Sequence, residues 1–259
     1  MVDFRSVEAN LRESFRVLAR GSPSGEVREF SGLSIASAGV SFQMFNAAFL
    51  SSPVASEPEL ERRVAEANAH FGARGLEWSW WICDDWLAPP MRRRASRLLK
   101  KYDLNEAVEL PGMSAEELLP PFRRLPEMEV RRVADEGTRA AFCQIGALCF
   151  NVPPPWFREV FDNLAVWRDF AGFVGYVDGT PVSTAATVVA AGVAGVYNVA
   201  TIPGQQRRGY GECVMRRALE AARAEHGVAR SILQSTPQGL RLYQRMGYRT
   251  VTKVSVYSS

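Results

Sequence analysis

From Val2 to Leu18, charged residues alternate with Val, Leu and Phe at close to helical spacing. The pattern predicts an amphipathic helix, ended by the Gly/Ser/Pro stretch from Gly21 to Gly25. A strand-like run follows at Leu33–Ser37, then an apolar stretch, Phe42–Leu50. Pro58 to Phe71 predicts a second helix, with proline near its start and Gly72 past its end. Glu77–Cys83 carries Trp78, Trp80 and Trp81, the aromatic density of a buried strand packed in a core. Met91–Tyr102 reads as a basic amphipathic helix, and Asn105–Leu110 as a strand punctuated by a turn at Pro111-Gly112. The run from Pro120 to Pro126, rich in Pro and Arg with little to pack, marks a linker.

Beyond it the pattern restarts. Glu129–Val133 reads as a strand, Asp135–Cys149 as a helix, Asn151–Pro155 as a stiff loop and Trp156–Val166 as a helix. Three apolar runs, Phe170–Val177, Val182–Ala191 and Val193–Ile202, are joined by turns at Asp178-Gly179 and Gly192, an antiparallel meander. A Gly-rich stretch, Gly204 to Gly211, then opens a helix that runs to about Glu225 and is capped by Gly227. On that helix Val214, Ala218, Leu219, Ala221 and Ala222 share one broad face. Arg216, Arg217, Glu220 and Arg223 share the other, with Arg216 and Glu220 spaced for an ion pair. Ser231–Ser235 reads as a further strand, and a short helix falls within Gly239–Tyr248.

The chain has 259 residues, enough for two domains, and its 47% hydrophobic content suits a sizeable core. With 31 basic against 28 acidic residues, and arginine clusters scattered along the chain, the charge balance does not call for a nucleic-acid partner. Cys83, Cys143, Cys149 and Cys213 form no C-x-x-C pair and read as reduced core thiols of a cytoplasmic protein. Met1 to Glu13 is charged and lacks the apolar region of a signal peptide, and no apolar run is long enough to span a membrane.

The strand, Gly-rich loop and helix around residues 199–225 suit a phosphate. The first amides of a helix lack intrahelical partners and point out from its positive dipole end. Gly209 and Gly211 let backbone approach an anion without a Cβ in the way. Gly204 to Gly209 has Walker A spacing, but Tyr210 and Gly211 stand where Lys and Ser/Thr are needed, and no G-x-G-x-x-G is present. Nucleotide hydrolysis and dinucleotide binding are disfavoured. His70 and His226 lack metal-ligand spacing, so no metal is expected, and no Gly-x-Ser-x-Gly elbow supports a serine hydrolase.

Gln206-Arg207-Arg208-Gly209-Tyr210-Gly211 resembles the Q/R-x-x-G-x-G/A signature of the GNAT N-acetyltransferase superfamily. The stretch Gly239–Tyr248 resembles that family's later motif, ending in Tyr-x-x-x-Gly-Tyr/Phe. The likeness covers about Val130 to the C-terminus. It implies an N-acetyltransferase that uses acetyl-CoA as cosubstrate and acts on an amine of a small molecule or peptide. It implies that amides of Arg207, Arg208, Gly209, Tyr210, Gly211 and Glu212, beside Gln206, hold the pyrophosphate. Val199, Ala200 and Thr201 would bond the pantetheine arm, with Gln234 and Ser235 also at the cofactor, and Tyr243 would serve the departing thiolate. The general base is not determined: Asn198 can orient a water, Glu212 serves the helix N-terminus, and His226 lies at the wrong end of the helix.

The expected fold is therefore α/β (α+β): a GNAT-like mixed, mostly antiparallel central sheet flanked by helices, in two tandem domains. Residues 1–124 would be a degenerate GNAT-like domain and 125–259 the acetyl-CoA-binding catalytic domain. The loop Asn151–Trp156 would border the acceptor site. Two other functions stay open: a non-catalytic acyl-CoA-binding sensor or scaffold, and nucleic-acid association through Met91–Lys101, which the overall charge disfavours. Membrane association is not expected, and a homodimer is compatible with everything above.

Overall fold

A computed structural model describes residues 3–259, so Val2 of the expected first helix lies outside the described residues. The N-terminal half comprises α1 (Phe4–Gly21), β1 (Glu26–Phe30), β2 (Leu33–Ser37), β3 (Asn46–Leu50), α2 (Glu57–Gly72), β4 (Ser79–Cys83), α3 (Pro89–Lys100) and β5 (Asn105–Ala115). The C-terminal half comprises β6 (Glu129–Arg132), α4 (Glu136–Phe150), α5 (Pro154–Phe161), β7 (Ala171–Val177), β8 (Thr180–Ala190), β9 (Val193–Thr201), α6 (Tyr210–His226), β10 (Ser231–Gln234), α7 (Leu240–Arg245) and β11 (Arg249–Ser258). From β1 to β5 and from β7 to β11 the order is the same: three strands, helix, strand, helix, strand.

All eleven strands form one sheet, in the order β1-β2-β3-β4-β11-β5-β10-β9-β8-β7-β6. Only β3/β4 and β9/β10 pair in parallel. The last strand of each repeat is inserted into the other: β11 lies against β4, and β5 lies against β10. The two are themselves paired along nearly their whole length. This is the mixed, mostly antiparallel sheet flanked by helices that the motif order implies.

Each side of the sheet buries one set of alternating side chains. Ile35, Ala48 and Trp80 join Leu60, Val64 and Leu98 of α2 and α3, while Ala194, Val196 and Leu233 join Val214, Met215 and Ala218 of α6. On the opposite side α1 touches β2 near one end of the strand order and β8 and β9 towards the other, so the sheet wraps around it. Phe15 meets Phe49 at 5.1 Å, and Asn10, fully buried, reaches the β8–β9 turn. Trp78 and Trp80 are core residues, as their spacing implied.

Three expectations need correction. Pro111 and Gly112 do not make a turn; they lie inside β5. Proline is tolerated there because its nitrogen faces β10, whose pairing with β5 ends at Gly112, and its carbonyl still accepts from Ser235 N at 2.9 Å. A Cβ on Gly112 would sit 2.5 Å from Thr252, so this glycine permits close packing. The helix expected over Trp156–Val166 spans Pro154–Phe161, because the Asn163 side chain takes the carbonyls of Glu159 and Val160. Arg216 pairs with Glu212 at 2.8 Å rather than with Glu220, which is bound by Arg217. Finally, β1 and β11 carry no expectation in the pattern above, although β11 is the central strand on which the exchange depends. No helix among the described residues is long and apolar enough to cross a membrane.

Candidate functional site

The site begins where β9 and β10 part. Their parallel pairing is limited to Ser231 with Ala194 and Ile232 with Gly195; β10 then continues against β5 alone. From Val196 onward the edge of β9 facing β10 has no strand partner. The cause is a bulge. Tyr197 pairs with Ala186 but Ala200 with Thr184, so two residues of β9 face one of β8, and Asn198 turns into the left-handed region at φ +50°. Two hydroxyls of β8 hold the bulge: Thr184 donates to Asn198 O at 2.8 Å and Ser183 to Ala200 O at 2.6 Å. The edge of β9 over Val199, Ala200 and Thr201 thus runs along the gap with no strand partner, although Ala200 O and Thr201 O already accept from Ser183 and Gln206.

This edge leads directly into the Gly-rich loop. Gln206 donates its side-chain amide to Thr201 O at 3.2 Å, tying the loop back to the strand. Arg207 and Gly209 have φ of +63° and +96°. At Gly209 any Cβ would be strained and would approach Pro126 at 3.1 Å. At Gly211 a Cβ would stand 3.2 Å from Thr201 Oγ1, so the first turn of α6 lies against the end of β9. No side chain caps the N-terminus of α6. Its amides are therefore available to an anion, and the carboxylate of Glu212, which could compete, is bound by Arg216.

Tyr243, on α7, packs with Val196, Leu233, Val214 and Met215, which places it on the α6 side of the opening. Its ring meets Tyr248 edge-on at 6.0 Å, and burial pushes its phenol up to about 12. The Gln234 amide nitrogen, at the end of β10, is buried with no protein partner. Ser235 is also buried, but its amide and hydroxyl are engaged by Pro111 O and Thr236 O. Each residue expected at the cofactor lies on β9, in the loop and first turn of α6, or at the end of β10. His70 stands 3.5 Å from Glu26 in the N-terminal half, and His226 is at the far end of α6. A cleft of about 340 Å³ around Glu225 and His226 contains none of the residues expected at the cofactor.

Two contributors carry no clear mark in the sequence. Arg123, in the Pro/Arg-rich segment, donates to Arg207 O at 2.8 Å, a contact across 84 residues that no local pattern signals. Ser183 and Thr184 do leave a trace, as adjacent hydroxyls within an apolar run.

The matching position of the N-terminal half is closed. Val54, after β3, bridges to Leu87 after β4, so the two strands stay linked beyond their paired stretch. Arg63 of α2 is buried and donates to the carbonyls of Gly32, Ser52 and Pro53. Glu59 accepts from Ala55 N at 3.1 Å. The loop offers carbonyls to a cation, and a carboxylate already serves the start of the helix. Arg63, paired with Glu59, already fills the loop.

Comparison with known proteins agrees with the geometry. The model of the acetyltransferase (GNAT) family matches residues 139–248. Among solved structures, a GCN5-related N-acetyltransferase from Kribbella flavida superposes with a TM-score of 0.74 at 20% identity, over 100% of this chain and 95% of that one. One from Sphaerobacter thermophilus gives 0.60 at 15% identity, over 92% and 78%. A functionally unknown conserved protein from Staphylococcus epidermidis gives 0.65 at 12%, over 90% and 92%. At these identities the likeness is one of fold. No curated protein matches the sequence. Residues 139–248 thus form a domain of the acetyltransferase (GNAT) family.

Proposed function

We propose that the protein is an N-acetyltransferase that moves the acetyl group of acetyl-CoA to an amine of a small molecule or peptide. The observation that carries this reading is the continuity between the bulge-opened edge of β9 and the uncapped, Gly-lined N-terminus of α6. Amides from Arg207 to Glu212 bind the pyrophosphate, and the open β9 edge at Val199, Ala200 and Thr201 bonds the pantetheine arm as a neighbouring strand would. The Gln234 amide, buried and unpartnered, donates to the same arm.

Acetyl-CoA brings an activated thioester; the protein positions it and manages charge. As the amine attacks the carbonyl carbon, negative charge passes to sulfur, and Tyr243 serves it. With its phenol raised to about 12, well above a thiol near 8.5, Tyr243 acts chiefly as a hydrogen-bond donor to the leaving sulfur. We assign the two domains as 1–124 and 125–259, with their last strands traded. The activity is placed in the cytoplasm, where free thiols such as Cys83 and Cys143 persist.

The test is release of free CoA from acetyl-CoA, followed with a thiol reagent, across a panel of alkylamines, arylalkylamines, polyamines, aminoglycosides and peptide N-termini. Amine-dependent release with a mass gain of one acetyl group on nitrogen supports the reading; acetyl-CoA binding without turnover of any amine contradicts it. That second outcome favours a non-catalytic acyl-CoA sensor, which the remote positions of both histidines also suit.

A further inference from the structure

The segment 116–128, between β5 and β6, has no helix or strand, yet it is fastened across the rim of the Gly-rich loop. Leu119 N donates to Met246 O at 2.9 Å, and Leu119 O accepts from Arg216 at 2.8 Å. Further along, Arg123 donates to Arg207 O at 2.8 Å, and Pro126 borders Gly209. The segment is therefore a held strap.

On this strap stands Phe122, 81% exposed. Its ring has one charged neighbour, the Arg245 guanidinium, 5.3 Å from the ring centre. An aromatic ring left in water on an otherwise fastened segment is unfavourable unless something covers it. The charges around it are also unusual. Arg124, Arg216 and Arg217 each have a carboxylate partner, whereas Arg123, Arg207, Arg208 and Arg245 have none among the described residues. Arg123 spends one N–H on Arg207 O and keeps the others free. A flat apolar ring beside the unneutralised Arg245 guanidinium, on a strap tied by its next residue to the Gly-rich loop, is complementary to a planar base carrying phosphates.

We propose that the strap is a nucleotide subsite: the adenine of CoA stacks on Phe122, and Arg123 holds phosphate between the adenosine and the Gly209 loop. This rests on the acyl-CoA reading above and extends it to the segment joining the two halves. Phe122 stands at the surface, so its replacement leaves the fold in place, whereas Arg123→Gln also releases the bond to Arg207 O.

The experiment is calorimetric titration of the full chain with CoA and with 4′-phosphopantetheine, which lacks the 3′-phosphoadenosine and the second phosphate of the pyrophosphate. Wild type, Phe122→Ala and Arg123→Gln are compared, each checked for an unchanged melting temperature. Wild type is expected to prefer CoA by about tenfold or more. Phe122→Ala weakens CoA by about tenfold and leaves 4′-phosphopantetheine within about twofold of wild type. Arg123→Gln weakens CoA by about tenfold at low salt and by less at high salt. Equal wild-type affinity for the two ligands, or unaltered CoA affinity in Phe122→Ala, overturns the subsite and leaves the acyl-CoA reading standing. The second result points to a protein segment as the cover of Phe122. Absence of binding to either ligand overturns both.

Discussion

Replacing Asn10 with alanine removes the polar centre of the contact between α1 and the β8–β9 hairpin. The Asn10 side chain is fully buried, and its amide nitrogen lies 3.0, 3.1 and 3.1 Å from the carbonyls of Val188, Ala190 and Val193. Its oxygen accepts from the Tyr197 hydroxyl at 2.6 Å. An amide has two protons, so three carbonyls share two donors, and three hydrogen bonds in all are lost. At about 1 kcal/mol each, plus the cost of leaving some partners dry and unpaired, the loss comes to about 3–5 kcal/mol. That is a large part of the ~5–15 kcal/mol typical of a domain, and in a chain of this size corresponds to about 6–20 °C in Tm. Urea melts of wild type, Asn10→Ala, Tyr197→Phe and the double variant measure it. The cycle is expected to show a coupling of about 1 kcal/mol, because Tyr197→Phe costs a hydrogen bond only while Asn10 is present. A loss under about 1 kcal/mol, or strict additivity, would refute the reasoning.

Tyr243→Phe is expected to lower kcat by about 10- to 100-fold while the KM for acetyl-CoA changes little, since the hydroxyl is needed only as sulfur departs; an unchanged kcat in steady-state assays contradicts that role. Deleting residues 249–259 removes β11 from between β4 and β5, with the fully buried Val254 and Val256. Both halves should then lose protection together in hydrogen exchange, and a protected N-terminal half would argue against the strand exchange. Burial pushes Glu8 from 4.5 up to about 7, outweighing the nearby Arg12 and Arg16. A folded pKa above the unfolded one means the stability tied to the protonated form is complete below about pH 4.5 and lost as pH rises through 7. Glu8→Gln should therefore gain on wild type between pH 5 and pH 8, by up to roughly 3 kcal/mol in denaturant melts. Parallel profiles would show that Glu8 is not the group responsible.

Local chemistry made much of the C-terminal half legible. The Gly204–Gly211 loop, the αL cap at Gly227 and the turns at Asp178-Gly179 and Gly192 impose backbone conformations that few residues other than glycine adopt cheaply, so their positions could be read directly. The same logic misled at Pro111-Gly112. Gly112 answers to the close approach of Thr252 in β11, 140 residues away in sequence, and Pro111 to the end of β10 beside it. β11 does alternate over Lys253–Val256, as suits a strand covered on one side by α1 and partly open on the other, with Lys253 paired to Glu109 and Asp84, but nothing local marks it as interior to the sheet. The strand exchange, the Arg123 contact and the bulge at Asn198 are all long-range products of the sheet. The bulge left one clue, an asparagine where φ is positive. Asparagine tolerates both extended and left-handed backbone, so its presence in an apolar run does not locate an opening.

The most direct test of the central claim is calorimetric titration of the full chain with acetyl-CoA, beside Gly209→Trp and Gly211→Trp. An indole at either position would fill the space between α6, β9 and Pro126 that the pyrophosphate needs. Binding by wild type in the micromolar range, weakened by at least about tenfold in both folded variants, is the result the account predicts. A wild type that does not bind acetyl-CoA, or variants that bind it as well as wild type does, would contradict it.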